Sequence, residues 1–253
     1  MIGLPPTLPP GYQLFSYDSV GSTNDEAKRL ARKGALEGTV VWASEQTAGR
    51  GRRGRVWASP RGNLYASLIL RPDCPPLRAA QFGFVAALGI GNALGAMLPQ
   101  LEGLSYKWPN DVLVNGRKIA GILLESEMTT TDKLTFLILG IGVNLLSSPR
   151  LAEYSATSAA EEGLGDVSPA ALLEEFVRYF HSWKSHWRSE GFTPVRAAWL
   201  ARAASLRELI QVRLEAGTLC GRFLDIDEMG ALLLEGAEEQ HRISAGDILL
   251  MNR

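Results

Sequence analysis

Cysteine and histidine are almost missing from this chain, which has Cys74, Cys220, His181, His186 and His241 and no others. The two cysteines lie far apart and match no metal or redox spacing, which argues against a disulfide framework and for a reducing compartment. His181 and His186 are five residues apart in a helical stretch, so they point to different faces and make a poor metal pair. With so few histidines and no base beside either cysteine, a thiol nucleophile or a histidine-based triad has little to draw on. A surplus of one charge is missing too: 26 lysines and arginines face 27 aspartates and glutamates. General nucleic-acid or membrane-surface binders normally carry a basic excess over a domain. Long apolar runs are scarce. Ala79 to Leu98 raises the question of a membrane span, but it is rich in alanine and glycine and interrupted by Gln81 and Asn92. It reads as a buried helix packed closely on a sheet. Met1 to Gly11 holds Pro5, Pro6, Pro9 and Pro10 but no positive segment ahead of an apolar core, so a stiff lead-in is expected rather than a signal peptide. The expectation is a cytoplasmic protein.

What is present suits a globular fold. The chain has 253 residues, 46% hydrophobic and 21% charged, enough for one large domain with a small appendage. Gly21-Ser22-Thr23-Asn24-Asp25-Glu26 opens a first helix, with Ser22, Thr23 or Asn24 able to cap it and acids in its first turn. That helix should stop near Lys33-Gly34. Thr39–Ala43 and Leu64–Leu70 are strands by composition, as is Leu104–Trp108, ended by Pro109. Val112–Val114 and Ile119–Glu125 flank Asn115-Gly116, which suits a type I′ hairpin turn. Leu134–Val143 reads as a buried strand. From Pro169 to Trp187, Leu172, Phe176, Tyr179 or Phe180, Trp183 and Trp187 recur at helical spacing and form a core stripe. After Leu206 the pattern changes to short alternating strands around Ile210–Leu214, Leu219–Phe223, Ala231–Leu234 and Ile248–Leu250. Turns at Ala216-Gly217, Glu228-Met229-Gly230 and Ala245-Gly246 separate them, as in a small barrel. A boundary near Ser205 divides a domain over 12–204 from a barrel over 205–253.

The basic charge is concentrated locally. Ala48-Gly49-Arg50-Gly51-Arg52-Arg53-Gly54-Arg55 holds four arginines and three glycines between two strands. Glycine lets a backbone approach a ligand closely, and the arginine fork matches carboxylate and phosphate. Four like charges repel, so the loop should be loose until an anion arrives. Taken alone, the stretch fits a solvated basic turn or a nucleic-acid patch equally well. Lys107-Trp108-Pro109-Asn110-Asp111 ends a strand with a cation, an amide and a carboxylate, and Lys118 lies seven residues past Asp111. A hairpin returns the chain to its start, so Lys118 could share a pocket with Lys107 and Asp111; ordinary surface salt bridges are the plainer alternative. Gly140-Ile141-Gly142-Val143-Asn144 is a weak match to a dinucleotide fingerprint, because the third glycine and the following helix are missing.

Together these segments closely resemble the biotin protein ligase family. The likeness rests on Gly21–Asn24, Ser44–Arg55, Lys107–Asp111, Lys118–Leu123 and Gly140–Asn144, in order and at matching spacing, and it runs from about Gly11 to Arg253. The resemblance implies an α+β fold: a mixed β-sheet flanked by helices, of the class II aminoacyl-tRNA synthetase-like type, with a C-terminal SH3-like barrel. It implies a biotin pocket of Ser22, Thr23, Asn24 and Gln46. Arg50, Gly51 and Arg52 would close over biotin's carboxylate, and Lys118 would contact that carboxylate and the α-phosphate of ATP. Arg55, Trp57, Asn110 and Asn144 are the expected nucleotide contacts. Arg52, Lys118, Lys107 and Asp111 are the expected catalytic set, with Mg2+ held largely by phosphates and water and Asp111 as its protein candidate. The implied reaction makes biotinyl-AMP and passes biotin to a lysine of the biotin carboxyl carrier protein of acetyl-CoA carboxylase. Some family members carry an N-terminal DNA-binding domain. Only about a dozen residues precede the matching segment here, so no DNA binding is expected; a homodimer is possible. The alternatives are a lipoate or octanoate transferase of the same fold, or a non-catalytic biotin sensor, for which Lys118 and the arginine loop would have no obvious use.

Overall fold

The computed structural model describes residues 6–129, 133–149, 155–165 and 167–249. Pro5 of the proline-rich start and Leu250 of the last expected strand lie outside them. The larger layer is a seven-stranded mixed sheet in the order β1-β2-β3-β7-β6-β5-β4. Its strands are β1 (Gln13–Val20), β2 (Thr39–Gln46), β3 (Leu64–Leu70), β4 (Leu104–Lys107), β5 (Asp111–Val114), β6 (Arg117–Met128) and β7 (Leu134–Val143). The β1–β2 pair is parallel, and a parallel pair needs a crossover. Helix α1 (Thr23–Arg32) supplies it and ends before Gly34 at φ +89°.

Side-chain alternation along the strands sorts the core into two faces. Val40, Trp42, Ala66, Leu68, Leu139, Ile141 and Ile122 turn to one face, where they pack with helices α3 (Phe82–Met97) and α4 (Pro169–Glu190). Val41, Ile69, Phe136 and Ile138 turn to the other, beneath Ala27 and Ala31 of α1. Helix α1 is short and covers only part of that face.

The apolar stretch after Cys74 forms two helices, a short α2 (Pro76–Ala79) and α3, rather than one. Its two polar interruptions explain how a sequence this apolar stays specific. Gln81 accepts from Trp187 Nε1 at 2.7 Å and donates to the Glu228 carbonyl at 2.8 Å, and Asn92 accepts from Trp183 Nε1 at 2.7 Å. Both amides satisfy indoles of α4, so the interruptions fix the α3–α4 contact. The span Pro76–Met97 is long and apolar enough to cross a membrane, and most of it is buried in the protein. On α4 the expected stripe is buried at Leu172, Phe176, Phe180 and Trp187, with Phe180 rather than Tyr179 inward.

Helix α5 (Thr193–Leu200) leads to a second, antiparallel sheet in the order β11-β10-β9-β8-β12. Its strands are β8 (Leu209–Arg213), β9 (Thr218–Ile226), β10 (Leu232–Glu235), β11 (Gln240–Ile243) and β12 (Asp247–Leu249). Strands β11 and β12 are opposite edges, so among the described residues this sheet is SH3-like but not closed into a barrel. Strand β11 is mostly polar, and strand β1 and helix α5 carry weak patterns; none of the three was expected from sequence.

Candidate active site

The part of the sheet that α1 leaves uncovered is the floor of a cavity of about 490 Å³. The hairpin β5–β6 supplies its cations, through an irregularity. Val112 pairs with Ala120, but Leu113 pairs with Lys118, so Ile119 is an extra residue in β6. Directly opposed residues share a face, and residues an odd number apart on a regular strand do not. The bulge therefore places Lys118 on the same face as Gly121 and Asp111. Backbone bonds that leave β5 hold it there: Lys118 N–H donates to the Ser155 carbonyl and the Lys118 carbonyl accepts from Thr157, both at 2.9 Å. The turn has the expected left-handed pair, Asn115 at φ 50° and Gly116 at 73°.

Lys118 Nζ then meets Asp111 Oδ1 at 2.6 Å, and Lys107 Nζ meets Oδ2 at 3.0 Å. Burial pushes the Asp111 carboxyl up, but the ammonium groups of Lys118 and Lys107 together outweigh it and hold it below its ordinary value. It is a carboxylate between two cations. Both of its oxygens are committed to lysines, and the described residues contain no cluster of three or more His, Cys, Asp or Glu that could hold a metal. These residues suit a metal carried in by phosphates better than one caged by protein side chains.

The opposite end of the cavity is neutral. Ser22 takes the N-cap position of α1 but makes no side-chain capping bond; it lines the cavity instead. Thr23 donates to Gln46 Oε1 from its backbone at 2.8 Å and from its hydroxyl at 3.1 Å, while Gln46 Nε2 donates to Ser59 at 2.9 Å. Ser67, rising from β3, donates to Thr23 Oγ1 and Asn24 Oδ1 at 2.8 and 2.6 Å. The Gly140-Ile141-Gly142 segment is no dinucleotide turn but the last part of β7. A Cβ on Gly140 would fall 2.1 Å from Asn24 Oδ1, and one on Gly142 would fall 2.5 Å from Trp57 Nε1. Glycine is needed there so that an amide and an indole can rest on the sheet. Trp57 stands beside Lys118, whose Nζ is 5.2 Å from its ring centre.

The arginine loop bridges the two ends and has a defined path, with Arg53 in the left-handed region at φ 55°. Its charges are met by protein carboxylates. Arg50 forks onto Asp25 with two bonds of 2.6 Å and also reaches Glu125. Arg52 donates to Asp247 at 2.9 Å, the Gly246 carbonyl at 3.1 Å and Asn110 Oδ1 at 3.3 Å. Arg55 also pairs with Asp247, and Arg53 approaches it at 3.6 Å. Burial lowers the Arg52 guanidinium from its ordinary value, with Asp247 and Asp111 opposing the shift.

Thirteen of the fourteen expected site residues thus line one cavity: Ser22, Thr23, Asn24, Gln46, Arg50, Gly51, Arg52, Arg55, Trp57, Lys107, Asn110, Asp111 and Lys118. Asn144 does not. It is buried behind the wall, and its amide donates to the Thr157 carbonyl at 3.0 Å, which supports the segment that pairs with Lys118.

The biotin/lipoate A/B protein ligase family model matches residues 8–201, and the biotin protein ligase C-terminal domain model matches 208–251. The chain belongs to the biotin protein ligase family. It is 44% identical to a biotin–[acetyl-CoA-carboxylase] ligase of Paracoccus denitrificans, over 90% of this chain and 96% of that protein. A Mycobacterium tuberculosis protein of the same name is 32% identical, over 94% and 88%. Among solved structures, the biotin protein ligase of Aquifex aeolicus in complex with biotin and ATP superposes with a TM-score of 0.79 and 28% identity, covering 93% of this chain and 97% of that one. Within this biotin ligase chain, sequence reasoning missed Ser67, Glu125 and the second sheet's Arg213, Asp247 and Ile248. The last three line the cavity. Each is a single residue far along the chain from its partners, with no motif to mark it.

Proposed function

We propose that the neutral end of the cavity binds the ring system of biotin and the cationic end binds ATP, so that carboxylate and α-phosphorus meet between Lys118 and the arginine loop. The chain is an ATP-dependent biotin protein ligase, which activates biotin as biotinyl-5′-AMP and transfers it to a protein lysine. The division of the cavity carries the residue assignment. Thr23, Asn24 and Gln46 are neutral hydrogen-bonding groups, fit for an uncharged ureido ring. Lys118, Lys107, Arg52 and Arg55 gather where two anions must be brought together.

In the first step a biotin carboxylate oxygen attacks the α-phosphorus and pyrophosphate leaves. Lys118, seated by Asp111, steadies the charge on both reactants, and Arg52 covers the phosphate. Trp57 offers a ring face for adenine, with Asn110 beside it. Magnesium, where it accompanies the nucleotide, neutralises phosphate charge. In the second step the acceptor lysine attacks the mixed anhydride's carbonyl carbon, AMP leaves, and the amine proton is released. The acceptor in this reading is a biotin carboxyl carrier protein of acetyl-CoA carboxylase, in a cytoplasmic setting, and the working unit is the 12–204 domain together with the 205–253 module. Balanced charge supports no sequence-specific DNA binding.

The test is exchange of labelled pyrophosphate into ATP. Exchange that requires biotin supports the assignment. Exchange supported equally by lipoate or octanoate, or none with any acid, would remove it.

A further inference from the structure

Glu125 belongs to none of the motifs, yet it joins the neutral end of the cavity to the arginine loop. It rises from β6 with its side chain 22% exposed. Its Oε2 accepts from Asn24 Nδ2 at 2.6 Å and its Oε1 from Lys28 Nζ at 2.8 Å. Arg50 Nη2 reaches the same two oxygens at 3.1 and 3.2 Å. The far end of the Asn24 amide accepts from Ser67 at 2.6 Å. Asn24 thus has one orientation: turned over, it would set a carbonyl oxygen against a carboxylate. Arg50, at the root of the arginine loop, is held on its other side by Asp25. Asp25, Glu125, Arg50 and Lys28 balance in charge, and Asn24 is the neutral member of the cluster.

We propose that Glu125 is a positioning residue that couples the ring pocket to the arginine loop, one carboxylate setting the Asn24 amide and seating the loop through Arg50. This rests on the reading of Asn24 as a biotin contact. A glutamine at 125 has one accepting oxygen and cannot serve Asn24, Lys28 and Arg50 together. Asp25, by contrast, touches Arg50 and not Asn24, which allows the two functions to be separated.

The experiment compares wild type, Glu125→Gln and Asp25→Asn in biotin-dependent pyrophosphate exchange, and in trypsin cleavage at the loop arginines of ligand-free protein. Glu125→Gln should raise the KM for biotin about tenfold, the effect of losing a hydrogen bond to a charged group. It should also speed loop cleavage. Asp25→Asn should speed loop cleavage up to about fivefold, as for a lost surface ion pair; because Arg50 keeps Glu125 and Asn24 is untouched, its biotin KM should rise clearly less than that of Glu125→Gln. A folded Glu125→Gln protein with wild-type biotin KM or wild-type cleavage overturns the proposal, as does an Asp25→Asn protein whose biotin KM rises as far as that of Glu125→Gln. If Glu125→Gln does not fold, Glu125→Asp, shorter by one methylene, takes its place in both assays, and the same results support or overturn the coupling. Wild type without biotin-dependent exchange would overturn the ligase assignment and the pocket half of the coupling; loop cleavage would still judge the hold on Arg50 by itself.

Discussion

Asp111 shows how a few atoms set the chemistry of the cavity. A buried carboxylate is stable here only because two ammonium groups face it, and the same contacts hold Lys118 and Lys107 in the cavity wall. The pair is asymmetric to mutation. Lys118→Ala removes a cation from the reacting phosphorus but leaves Asp111 its bond to Lys107. It should lower adenylate formation by about 10²–10³-fold with little loss of stability. Asp111→Asn leaves two half-buried ammonium groups without a counter-charge and should cost about 1–3 kcal/mol in urea unfolding. Normal adenylation by a folded Lys118→Ala protein would take it out of the site. Gly142 offers a gentler probe. An alanine there meets the Trp57 indole at 2.5 Å and must displace it, so the KM for ATP should rise about tenfold. The biotin KM should hold, since Asn24 rests on Gly140 instead. A rise in the biotin KM alone would mean that Trp57 faces the wrong ligand.

Helix α1 and the β5–β6 hairpin do the placing. The helix begins with Thr23 and Asn24 in the cavity and carries Glu26 one turn on, where Arg29 donates to it at 2.8 Å and Tyr17 at 2.6 Å. Arg29, outweighing the opposing desolvation, with help from Tyr17, brings the Glu26 carboxyl down to about 2. A depressed folded value means stability that is complete above the ordinary glutamate range, near pH 4.5, and lost as pH falls toward 2. Thermal melts between pH 5 and 2 should therefore fall less steeply for Glu26→Gln than for wild type; parallel curves would show that the contact does not contribute. The hairpin was legible as an Asn-Gly turn between apolar runs, and so was the return of Lys118 toward Asp111. The side on which Lys118 emerges was not. Strict alternation from Gly121 puts it on the wrong face, and the correction comes from an extra residue whose backbone pairs with the distant segment around Ser155 and Thr157.

The two sheets act as one unit at the cavity mouth. Trp108 donates to the Gly230 carbonyl at 3.0 Å, which ties the end of β4 to the C-terminal module, and Tyr106 N–H donates to the Arg202 carbonyl at 2.8 Å, which holds the segment that leads into it. Asp247 completes the closure by drawing Arg52, Arg53 and Arg55 onto the second sheet. Repulsion within the arginine run was expected to leave the loop loose; a carboxylate nearly two hundred residues along the chain offsets it. Asp247→Asn should release that hold. Biotinyl-AMP would then escape more readily and biotinylate lysines of an unrelated protein such as an albumin, as Arg52→Gly should also allow. The comparison is made at equal adenylate production, and a variant as selective as wild type would show that closure does not depend on the second sheet.

Local pattern determined a large share of this protein. Alternation and composition marked β2, β3, β7 and the hairpin, helical spacing marked α1 and α4, and the glycine–arginine run with Lys107, Asp111 and Lys118 marked the chemistry, because these depend on neighbours within a few residues. Gly140 and Gly142 were visible as unusual but not as surfaces on which Asn24 and Trp57 lie. Tertiary structure alone decided that Lys118 shares a face with Asp111, that the Asn144 amide supports the segment at Thr157, and that Glu125 and Asp247 hold the arginine loop at its two ends. These depend on strand register and on carboxylates brought in from far along the chain, and no local periodicity encodes which distant charge will arrive.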